Sequence, residues 1–291
     1  MKLYEFRSLN MPVLTSEGAR QILKAREEGL RSLPLTFNLG LSKSMVELLN
    51  DGVVIEGHTV SYEDLQLALR DEDALFIVEP PGRLRKAVLY ADGRLYKLRK
   101  VGEDKAPTLE INGVALHRLE GTEPWEDASL KVESANIKQG AKVLDVCTGL
   151  GYTTIMSMMK GASEVWTIEK DVNVLRMAEA NPWSRGLESA QIRKVLGDAS
   201  KTLAEFSDEE FEAIIHDPPS ITQASELYTV EFYRELHRVL RKGGTLSHFT
   251  GPTVSRTRGM DVVQGVSRRL KVVGFTVKLN RELMGVTAIK E

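Results

Sequence analysis

An aspartate followed by two prolines comes directly after a strongly apolar segment. Residues 212–216 have the composition of a buried strand, and Asp217-Pro218-Pro219 follows them. Consecutive prolines restrict φ and carry no N–H, so this segment is stiff and offers carbonyl oxygens. A carboxylate beside such a carbonyl can accept two hydrogen bonds from a planar amino group. Asp217 and Pro218 are therefore candidate catalytic residues for chemistry at an amino nitrogen. The alternative is a strand that the prolines simply end.

A second candidate group surrounds a glycine turn. Gly149 and Gly151 lie between an apolar strand candidate and a helix candidate. Glycines let the backbone approach a ligand closely, and a helix N-terminus presents free N–H groups, although such turns also occur for packing alone. Glu169 follows about 20 residues later, where an acid can hold ribose hydroxyls, and Asp198 follows the next strand candidate. A nicotinamide-binding turn needs a third glycine, but that position is Thr154.

Alternating strand and helix patterns bring these residues into one sheet. The strand candidates are 142–147, 164–169, 192–196, 212–216 and 245–249. The helix candidates are 152–160, 172–181, 201–206, 225–241 and 261–273, and β segments at 275–279 and 286–289 end the chain. Strands that alternate with helices predict a doubly wound α/β fold with a parallel sheet, and the last two segments predict an antiparallel hairpin at its edge.

The order of these motifs resembles that of the class I S-adenosylmethionine-dependent methyltransferases. The resemblance covers the chain from about residue 130 to its end, and the chain as a whole is similar to a family of predicted archaeal methyltransferases. It implies a Rossmann-like, seven-stranded sheet and S-adenosyl-L-methionine as the cofactor. The implied contacts are Asp145, Thr148, Gly149 and Gly151 at the methionine end, Glu169 at the ribose, and Asp198 with Ala199 at the adenine edge.

The glycine turn departs from the family pattern at one position. Cys147 occupies the place of the first glycine in the common family loop. The same position is often not glycine in methyltransferases that act on amino groups of nucleobases. An alternative is a nucleophilic thiolate, which some base methyltransferases use to attack carbon. However, Cys147 ends the first strand, under the implied cofactor and away from the acceptor.

The Asp-Pro-Pro segment resembles the catalytic motif of enzymes that methylate exocyclic amino groups of nucleic acids or a glutamine amide. Those motifs usually continue with a tyrosine or phenylalanine that stacks on the base, whereas this chain has Ser220. We therefore expect the stacking surface to come from Tyr228 or Phe249; the alternative is that the substrate is not a base. The candidate substrate-binding residues are Ser220, Tyr228 and Arg256.

The first 120 residues differ from the rest in their pattern of apolar and turn-forming residues. Short alternating segments bounded by turn residues predict a small β-rich N-terminal domain over 1–120, a candidate for substrate recognition, followed by a methyltransferase domain over 121–291. Asp92-Gly93 lies between two such segments and favours a type I′ hairpin turn. A tryptophan in the lead-in to the second domain, Trp125, is expected to pack between domains or to stack on substrate.

Charge gives two indications about partners. The formal net charge of -2 provides no global basic field to attract phosphates. Residues 83–100, however, contain seven basic residues and one acid, Asp92, with Tyr90 and Tyr96 between them. We name residues 83–100 the basic stretch. Such a stretch suits a phosphate backbone and unstacked bases, and the alternative is a solvated face balanced by nearby acids.

A second basic group follows the fifth strand and consists of Arg256, Arg258, Arg268 and Arg269. RNA is the expected partner.

Composition excludes several classes of protein. No apolar run approaches the roughly 20 residues of a membrane-spanning helix, and the N-terminus lacks the apolar core of a signal peptide. Cys147 is the single cysteine, so neither an internal disulfide nor a cysteine zinc site is expected, and a cytoplasmic location fits. The histidines at 117, 216, 237 and 248 show no metal-binding spacing, and no metal is expected.

The favoured function is N-methylation of an exocyclic amino group of an RNA base in ribosomal or transfer RNA. One alternative is an aminopropyltransferase similar to spermidine synthase, since those enzymes share this fold and carry a small β domain in front. Their fourth-strand motif has a second acid where this chain has Ile214. The other alternative is a non-catalytic RNA-binding subunit with a vestigial cofactor fold.

Overall fold

The computed structural model describes residues 1–251 and 262–291. Contacts between residues divide the chain into two units. We call the first the β-rich unit; it comprises Arg7–Trp125 and Asn173–Arg185. We call the second the α/β unit; it comprises Met1–Phe6, Glu126–Val172 and Gly186–Glu291. In the described ranges, no helix combines the length and the apolar character that crossing a membrane requires.

The β-rich unit consists mainly of short antiparallel strands. The strands are β1 (Val13–Thr15), β2 (Ser32–Leu35), β3 (Ser44–Leu48), β4 (Gly52–Ile55), β5 (His58–Ser61), β6 (Leu75–Glu79), β7 (Arg83–Lys86), β8 (Val88–Ala91), β9 (Arg94–Arg99), β10 (Thr108–Ile111) and β11 (Val114–Ala115). They form sheets with the orders β1-β6-β7, β2-β3-β4-β5 and β11-β10-β9-β8. The helices of its first segment are α1 (Ser16–Glu27) and α2 (Tyr62–Ala68), and its second segment, Asn173–Arg185, contains most of a further helix that begins at Val172.

The hairpin predicted at Asp92-Gly93 is confirmed. β8 and β9 pair antiparallel, with Ala91 opposite Arg94. Asp92 has φ of 51° and Gly93 has φ of 71°, and a type I′ turn requires positive φ at both central residues. Local turn chemistry was therefore sufficient to predict this element.

The α/β unit is built around one large sheet. The elements from residue 124 onward are α3 (Pro124–Ser134), β12 (Lys142–Val146), α4 (Tyr152–Met159), β13 (Glu164–Glu169), α5 (Val172–Glu179), β14 (Ile192–Leu196), α6 (Ala199–Thr202), β15 (Phe211–His216), α7 (Val230–Val239), β16 (Leu240–Phe249), α8 (Val262–Val273), β17 (Phe275–Asn280) and β18 (Gly285–Lys290). Short 3-10 helices lie at Pro182–Glu188, Leu203–Glu205 and Ser225–Tyr228.

The order of the strands confirms the predicted fold class. The seven-stranded sheet runs β14-β13-β12-β15-β16-β18-β17. Neighbours from β14 to β16 pair parallel, while β18 pairs antiparallel with both β16 and β17. The strand order reverses beside β12, because β13 and β14 lie on one side of it and β15 on the other. Ligands of open parallel sheets bind at such a switch point, beyond the carboxyl ends of the strands.

Buried side chains from the strands and helices form one core in this unit. Leu144, Ile214 and Leu246 come from three neighbouring strands and are fully buried. Burying their apolar area provides the main free energy that holds the strand ends in place. The helix residues in the same cluster are Phe232, Tyr233, Leu236, Val263, Val266 and Leu270.

The prediction of one long helix over 225–241 was wrong. The segment is a 3-10 turn followed by α7, and Leu240 already begins β16. Thr229 separates the two helices because its backbone is extended and its side chain accepts a hydrogen bond from the Phe232 N–H, at 3.1 Å. A threonine at this position is a helix N-cap, which starts a new helix.

Candidate active site

The glycine turn connects β12 to α4. Cys147, Gly149 and Gly151 have φ values of 73°, 55° and 79°. An L side chain rarely adopts such an angle, so Cys147 takes the backbone conformation of the glycine that it replaces. A Cβ on Gly151 would lie 2.6 Å from Leu187 Cδ1, a distance that real Cβ atoms essentially never show. The turn therefore has a left-handed backbone conformation at Cys147, Gly149 and Gly151.

Glu169 ties the end of β13 to this turn. Its Oε2 accepts a hydrogen bond from the Gly149 N–H at 3.1 Å, and its Oε1 accepts one from the Asp171 N–H at 3.0 Å. Burial raises the pKa of the Glu169 carboxyl, and the two backbone N–H groups oppose that rise. The side chain is only partly buried. A carboxylate held in this way retains further lone pairs for hydroxyl groups of a ligand.

Asp145 lies on the buried side of the turn. It is fully buried and accepts hydrogen bonds from the hydroxyls of Thr153, Thr154 and Thr167. Burial raises the pKa of Asp145 to about 7, against the effect of the threonine hydrogen bonds. Asp145 therefore supports the turn from within, and its contact with the methionine end stays a prediction.

Thr148 also faces the interior. Its side chain is 4% exposed, and 2.6 Å separate its Oγ1 from that of Thr167. Its backbone N–H donates to the Ile168 carbonyl oxygen at 3.1 Å. The Thr148 side chain therefore joins two strand ends, and its contact with the cofactor stays a prediction.

Asp198 and Ala199 follow β14. Asp198 Oδ1 accepts hydrogen bonds from the Ser200 N–H at 2.9 Å and the Ser200 hydroxyl at 2.7 Å, so it caps the short α6. Burial acts to raise the pKa of Asp198, but the bonds from Ser200 lower it overall. The Gly197 N–H donates to the Glu169 carbonyl oxygen at 2.9 Å, which brings Asp198 to the end of β13. Ala199 is buried. The adenine contact stays a prediction.

Asp217 stands at the end of β15, beside β12. Its backbone N–H donates to the Val146 carbonyl oxygen at 3.3 Å. Its Oδ2 accepts a hydrogen bond from Lys131 Nζ at 2.6 Å, and its side chain is 22% exposed. Burial raises the pKa of Asp217, Lys131 lowers it, and Asp127 raises it. The carboxylate thus lies next to the glycine turn with one oxygen already paired.

Lys131 and Asp127 are functional candidates that the sequence analysis missed. Both lie on α3, in a segment that was interpreted only as a polar lead-in to the second domain. Their side chains are 4% and 3% exposed, and 2.6 Å separate Lys131 Nζ from Asp127 Oδ2. The signal was present in the sequence: Pro124 suits the first helical position, and an acid and a lysine four residues apart form a helical ion pair.

The three predicted substrate-binding residues differ in their surroundings. Ser220 is exposed, but its hydroxyl bonds to Thr222 and Gln223 within its own loop. Tyr228 is 2% exposed, and its hydroxyl donates to the Pro219 carbonyl oxygen at 2.8 Å. Tyr228 therefore supports the Asp-Pro-Pro segment from the core, and stacking of its ring on substrate stays a prediction. Arg256 lies outside the described residues.

Cys147 and His216 do not have the properties of reactive groups. Burial raises the pKa of the Cys147 thiol well above its usual value, and the carboxylates of Glu169, Asp217 and Asp145 raise it further. His216 is fully buried, with its ring 4.2 Å from that of His248. Burial holds the pKa of His216 well below its usual value, so the ring is neutral. A thiolate nucleophile is therefore disfavoured.

The strand ends together form an acidic site. Glu169, Asp198 and Asp217 follow β13, β14 and β15, which lie on both sides of the switch point beside β12. Carboxylates in this arrangement suit a ligand that carries hydroxyl groups and a positive charge. S-adenosyl-L-methionine has both, in its ribose and its sulfonium, so the residues present fit this cofactor.

Comparisons with known proteins agree with this class. A family model described as S-adenosyl-L-methionine-dependent methyltransferase matches residues 173–283. A second model, for protein-L-isoaspartate(D-aspartate) O-methyltransferase, matches residues 125–220. The chain is a class I S-adenosyl-L-methionine-dependent methyltransferase.

One relative is similar to nearly the whole chain and shows its family. The uncharacterized protein MJ1233 of Methanocaldococcus jannaschii is 39% identical over 284 residues, which cover 97% of this chain and 96% of that protein. The chain belongs to the same family as MJ1233. A proposed ribosomal RNA large subunit methyltransferase of the same organism, MJ1653, is 29% identical over 35% of this chain and 27% of its own length.

Aminopropyltransferases are also similar. Polyamine aminopropyltransferase 2 of Streptomyces coelicolor is 26% identical over 82% of this chain and 41% of its own length. The crystal structure of spermidine synthase with the transition-state analogue AdoDATO has a TM-score of 0.56 and 20% identity, covering 72% of this chain and 76% of that chain. At this identity the likeness shows the fold alone.

Proposed function

We propose that this enzyme methylates an exocyclic amino group of an RNA base, in ribosomal or transfer RNA. The observation that carries the proposal is the Asp217 carboxylate, which follows β15 beside the glycine turn and precedes a stiff pair of prolines. Bound S-adenosyl-L-methionine supplies a methyl group on a positively charged sulfur. The residues of the chain have to hold an amino nitrogen in line with that group, and alignment of this kind accounts for much of the rate in transfer reactions.

Asp217 and Pro218 are the proposed acceptor-binding pair. Lys131 occupies Oδ2 of Asp217, so Oδ1 accepts one N–H of the amino group and the Pro218 carbonyl oxygen accepts the other. Both acceptors then lie in the plane of the amino group, and its nitrogen lone pair is perpendicular to that plane. Burial raises the pKa of Asp217, which favours transfer of the released proton to its carboxylate.

The choice of RNA rests on two supports. The Asp-Pro-Pro segment is similar to motifs that act on exocyclic amino groups of nucleic acids, and MJ1653 is a relative with a proposed role on ribosomal RNA. The basic stretch contributes less than its sequence suggests. Its ion pairs join Arg85 to Glu79, Lys86 and Lys97 to Asp71, Arg99 to Glu110, and Lys100 to Glu103. RNA is therefore expected to bind mainly by shape and by basic residues elsewhere, such as the exposed Arg268 on α8.

Aminopropyl transfer to a polyamine is the second candidate. The support is the likeness to an aminopropyltransferase over 82% of this chain. In the spermidine-synthase pattern a second acid occupies the position of Ile214, which here is fully buried in the core of the sheet. The Asp127 carboxylate, which interacts with Asp217, faces Lys131. A cationic amine therefore has fewer carboxylates to bind than that chemistry uses.

One experiment separates these functions. The purified enzyme is incubated with methyl-labelled S-adenosyl-L-methionine and total RNA from cells that lack the gene, and nucleosides are analysed by mass spectrometry. A parallel reaction contains decarboxylated S-adenosylmethionine and spermidine. We expect a methylated nucleoside in the first reaction that is also missing from the RNA of the deletion cells. An aminopropylated polyamine, with unchanged nucleosides, would replace the proposal by the second candidate. Binding of the cofactor by calorimetry, with no transfer in either reaction, would favour a non-catalytic subunit.

A further inference from the structure

Lys131 is a buried cation beside the proposed acceptor-binding carboxylate of Asp217. Its ammonium lies 2.6 Å from Asp127 Oδ2 and 2.6 Å from Asp217 Oδ2, and its side chain is 4% exposed. It also lies 4.4 Å from the centroid of the Phe249 ring. Burying a charge costs free energy that only well-placed opposite charges offset. A chain that needed Lys131 merely for packing could use an apolar side chain instead.

We propose that Lys131 is a positioning residue, which holds Oδ2 of Asp217 so that Oδ1 alone receives the acceptor amino group. This inference rests on the proposed role of Asp217. Asp127 acts one step further away, because it lies on the same helix four residues earlier and fixes the lysine. The acceptor then binds a carboxylate that is held in one orientation. Without Lys131, the carboxylate could rotate and present either of its two equivalent oxygens.

The same contact controls the ionisation of Asp217. Burial raises the pKa of this carboxyl, and Lys131 is the group that lowers it. Among the described residues, the other ionisable groups that interact with Asp217 are Asp127 on α3, Asp145 and Cys147 at β12 and its turn, and Tyr228 before α7. A protonated Asp217 would donate a hydrogen bond from one oxygen, and it could then neither bind the amino group through both acceptors nor take up a proton.

The first test needs no substrate. The protein is labelled with carboxyl-¹³C aspartate, the Asp217 signal is assigned with Asp217→Asn, and its midpoint is measured by NMR against pH. Lys131→Met should raise that midpoint by about one pH unit or more, and Lys131→Arg should leave it close to wild type. Asp127→Asn retains the ammonium and removes a negative charge, so it should lower the midpoint. An unchanged midpoint in Lys131→Met, or shifts of the same sign in Lys131→Met and Asp127→Asn, would overturn the inference.

The second test measures turnover and binding. With total RNA from cells lacking the gene, the acidic limb of the kcat profile of Lys131→Met should move to higher pH, with kcat reduced about tenfold or more near pH 6. The dissociation constant of S-adenosyl-L-methionine should change less than about twofold, and Lys131→Arg should recover much of the turnover. Loss of cofactor binding in Lys131→Met would indicate a merely structural role. If the wild type methylates no RNA, the proposed function fails, while the NMR midpoints still decide the role of Lys131.

Discussion

The Oε2 atom of Glu169 accepts a hydrogen bond from the backbone N–H of Gly149, and 3.1 Å separate the two atoms. This bond joins the end of β13 to the turn after β12. The resemblance to class I methyltransferases predicts that these two places contact the ribose and the methionine ends of the cofactor. A change at Glu169 is therefore expected to disturb both ends together.

Glu169→Gln tests this relationship. The amide keeps the shape but loses the charge, and its NH2 group cannot accept from the Gly149 N–H or the Asp171 N–H. We expect the dissociation constant of S-adenosyl-L-methionine, measured by calorimetry, to rise about tenfold or more. Glu164→Gln on the same strand is the matched control and should bind as the wild type does. Equal affinity of the two variants would reject the ribose assignment.

Gly151→Ala should destabilise the protein for two reasons. The new Cβ would lie 2.6 Å from Leu187 Cδ1, and the residue would keep a φ of 79°. Gly243 is a matched control, because it has a φ of 77° with nothing within 4 Å of the added Cβ. Gly243→Ala should cost about 1 kcal/mol and Gly151→Ala about 2 to 4 kcal/mol in urea unfolding. Equal losses of unfolding free energy in the two variants would mean that the Leu187 side chain moves away from the new Cβ without cost.

Asp145 predicts a pH dependence of stability. Burial raises the pKa of Asp145 from its ordinary 3.8 to about 7 in the folded protein. The folded state therefore binds this proton more tightly, and the stabilisation is complete below about pH 4 and is lost as the pH rises through about 7. Asp145→Asn lacks this titration. The free energy of unfolding of the wild type relative to Asp145→Asn should fall by up to about 4 kcal/mol between about pH 4 and pH 8. A constant difference over that range would show that the carboxyl titrates normally.

Cys147→Gly distinguishes a backbone role from a covalent one. The residue has a φ of 73°, which glycine adopts without strain. We expect the variant to fold with a stability within about 1 kcal/mol of the wild type and to retain cofactor binding and turnover. Cys147→Ser is the control that retains the strained backbone. Loss of turnover in both variants, with cofactor binding intact, would support a thiolate mechanism.

Asp217→Ala should separate chemistry from cofactor binding. The carboxylate pairs with Lys131 and has no bond to the glycine turn or to Glu169 among the described contacts. Turnover should fall about 100-fold or more, while the affinity for S-adenosyl-L-methionine stays within about twofold of the wild type. Calorimetry and initial rates on the same preparations make the comparison. A matching loss of cofactor affinity would contradict the assigned role.

The sheet could be predicted because its signals are local. β13 and β14 have the predicted bounds, and the hairpin at Asp92-Gly93 has the predicted turn. Buried parallel strands appear as short apolar runs, and turns require particular residues, so both leave their pattern in a few neighbouring positions. Glu169 ends its predicted strand, and Asp198 and Asp217 follow theirs. The three residues lie at the carboxyl ends of β13, β14 and β15, with β12 between β13 and β15.

The direction in which each polar side chain faces was not predictable in this way. Asp145, Thr148 and Tyr228 were expected to meet a ligand, yet each is bonded within the protein and nearly or fully buried. The basic stretch likewise carries ion pairs to acids elsewhere in its unit. A motif identifies the strand end at which a residue lies. Whether its side chain points into the core or towards solvent depends on how several other segments pack around it.

By itself, the sequence determined the class of fold and the strand ends that hold the acids, since alternation and spacing are recorded along the chain, and its resemblance to a known family implied the cofactor. Only the tertiary structure decided that Lys131 on α3 meets Asp217, 86 residues later in the chain. The tertiary structure also assigns residues 173–185 to the β-rich unit, although they lie far from the rest of that unit in the sequence. A single domain boundary along the chain cannot describe this division. The physical reason is that an ion pair depends on distance in space, and the folding of the intervening sheet brings these two charges within 2.6 Å.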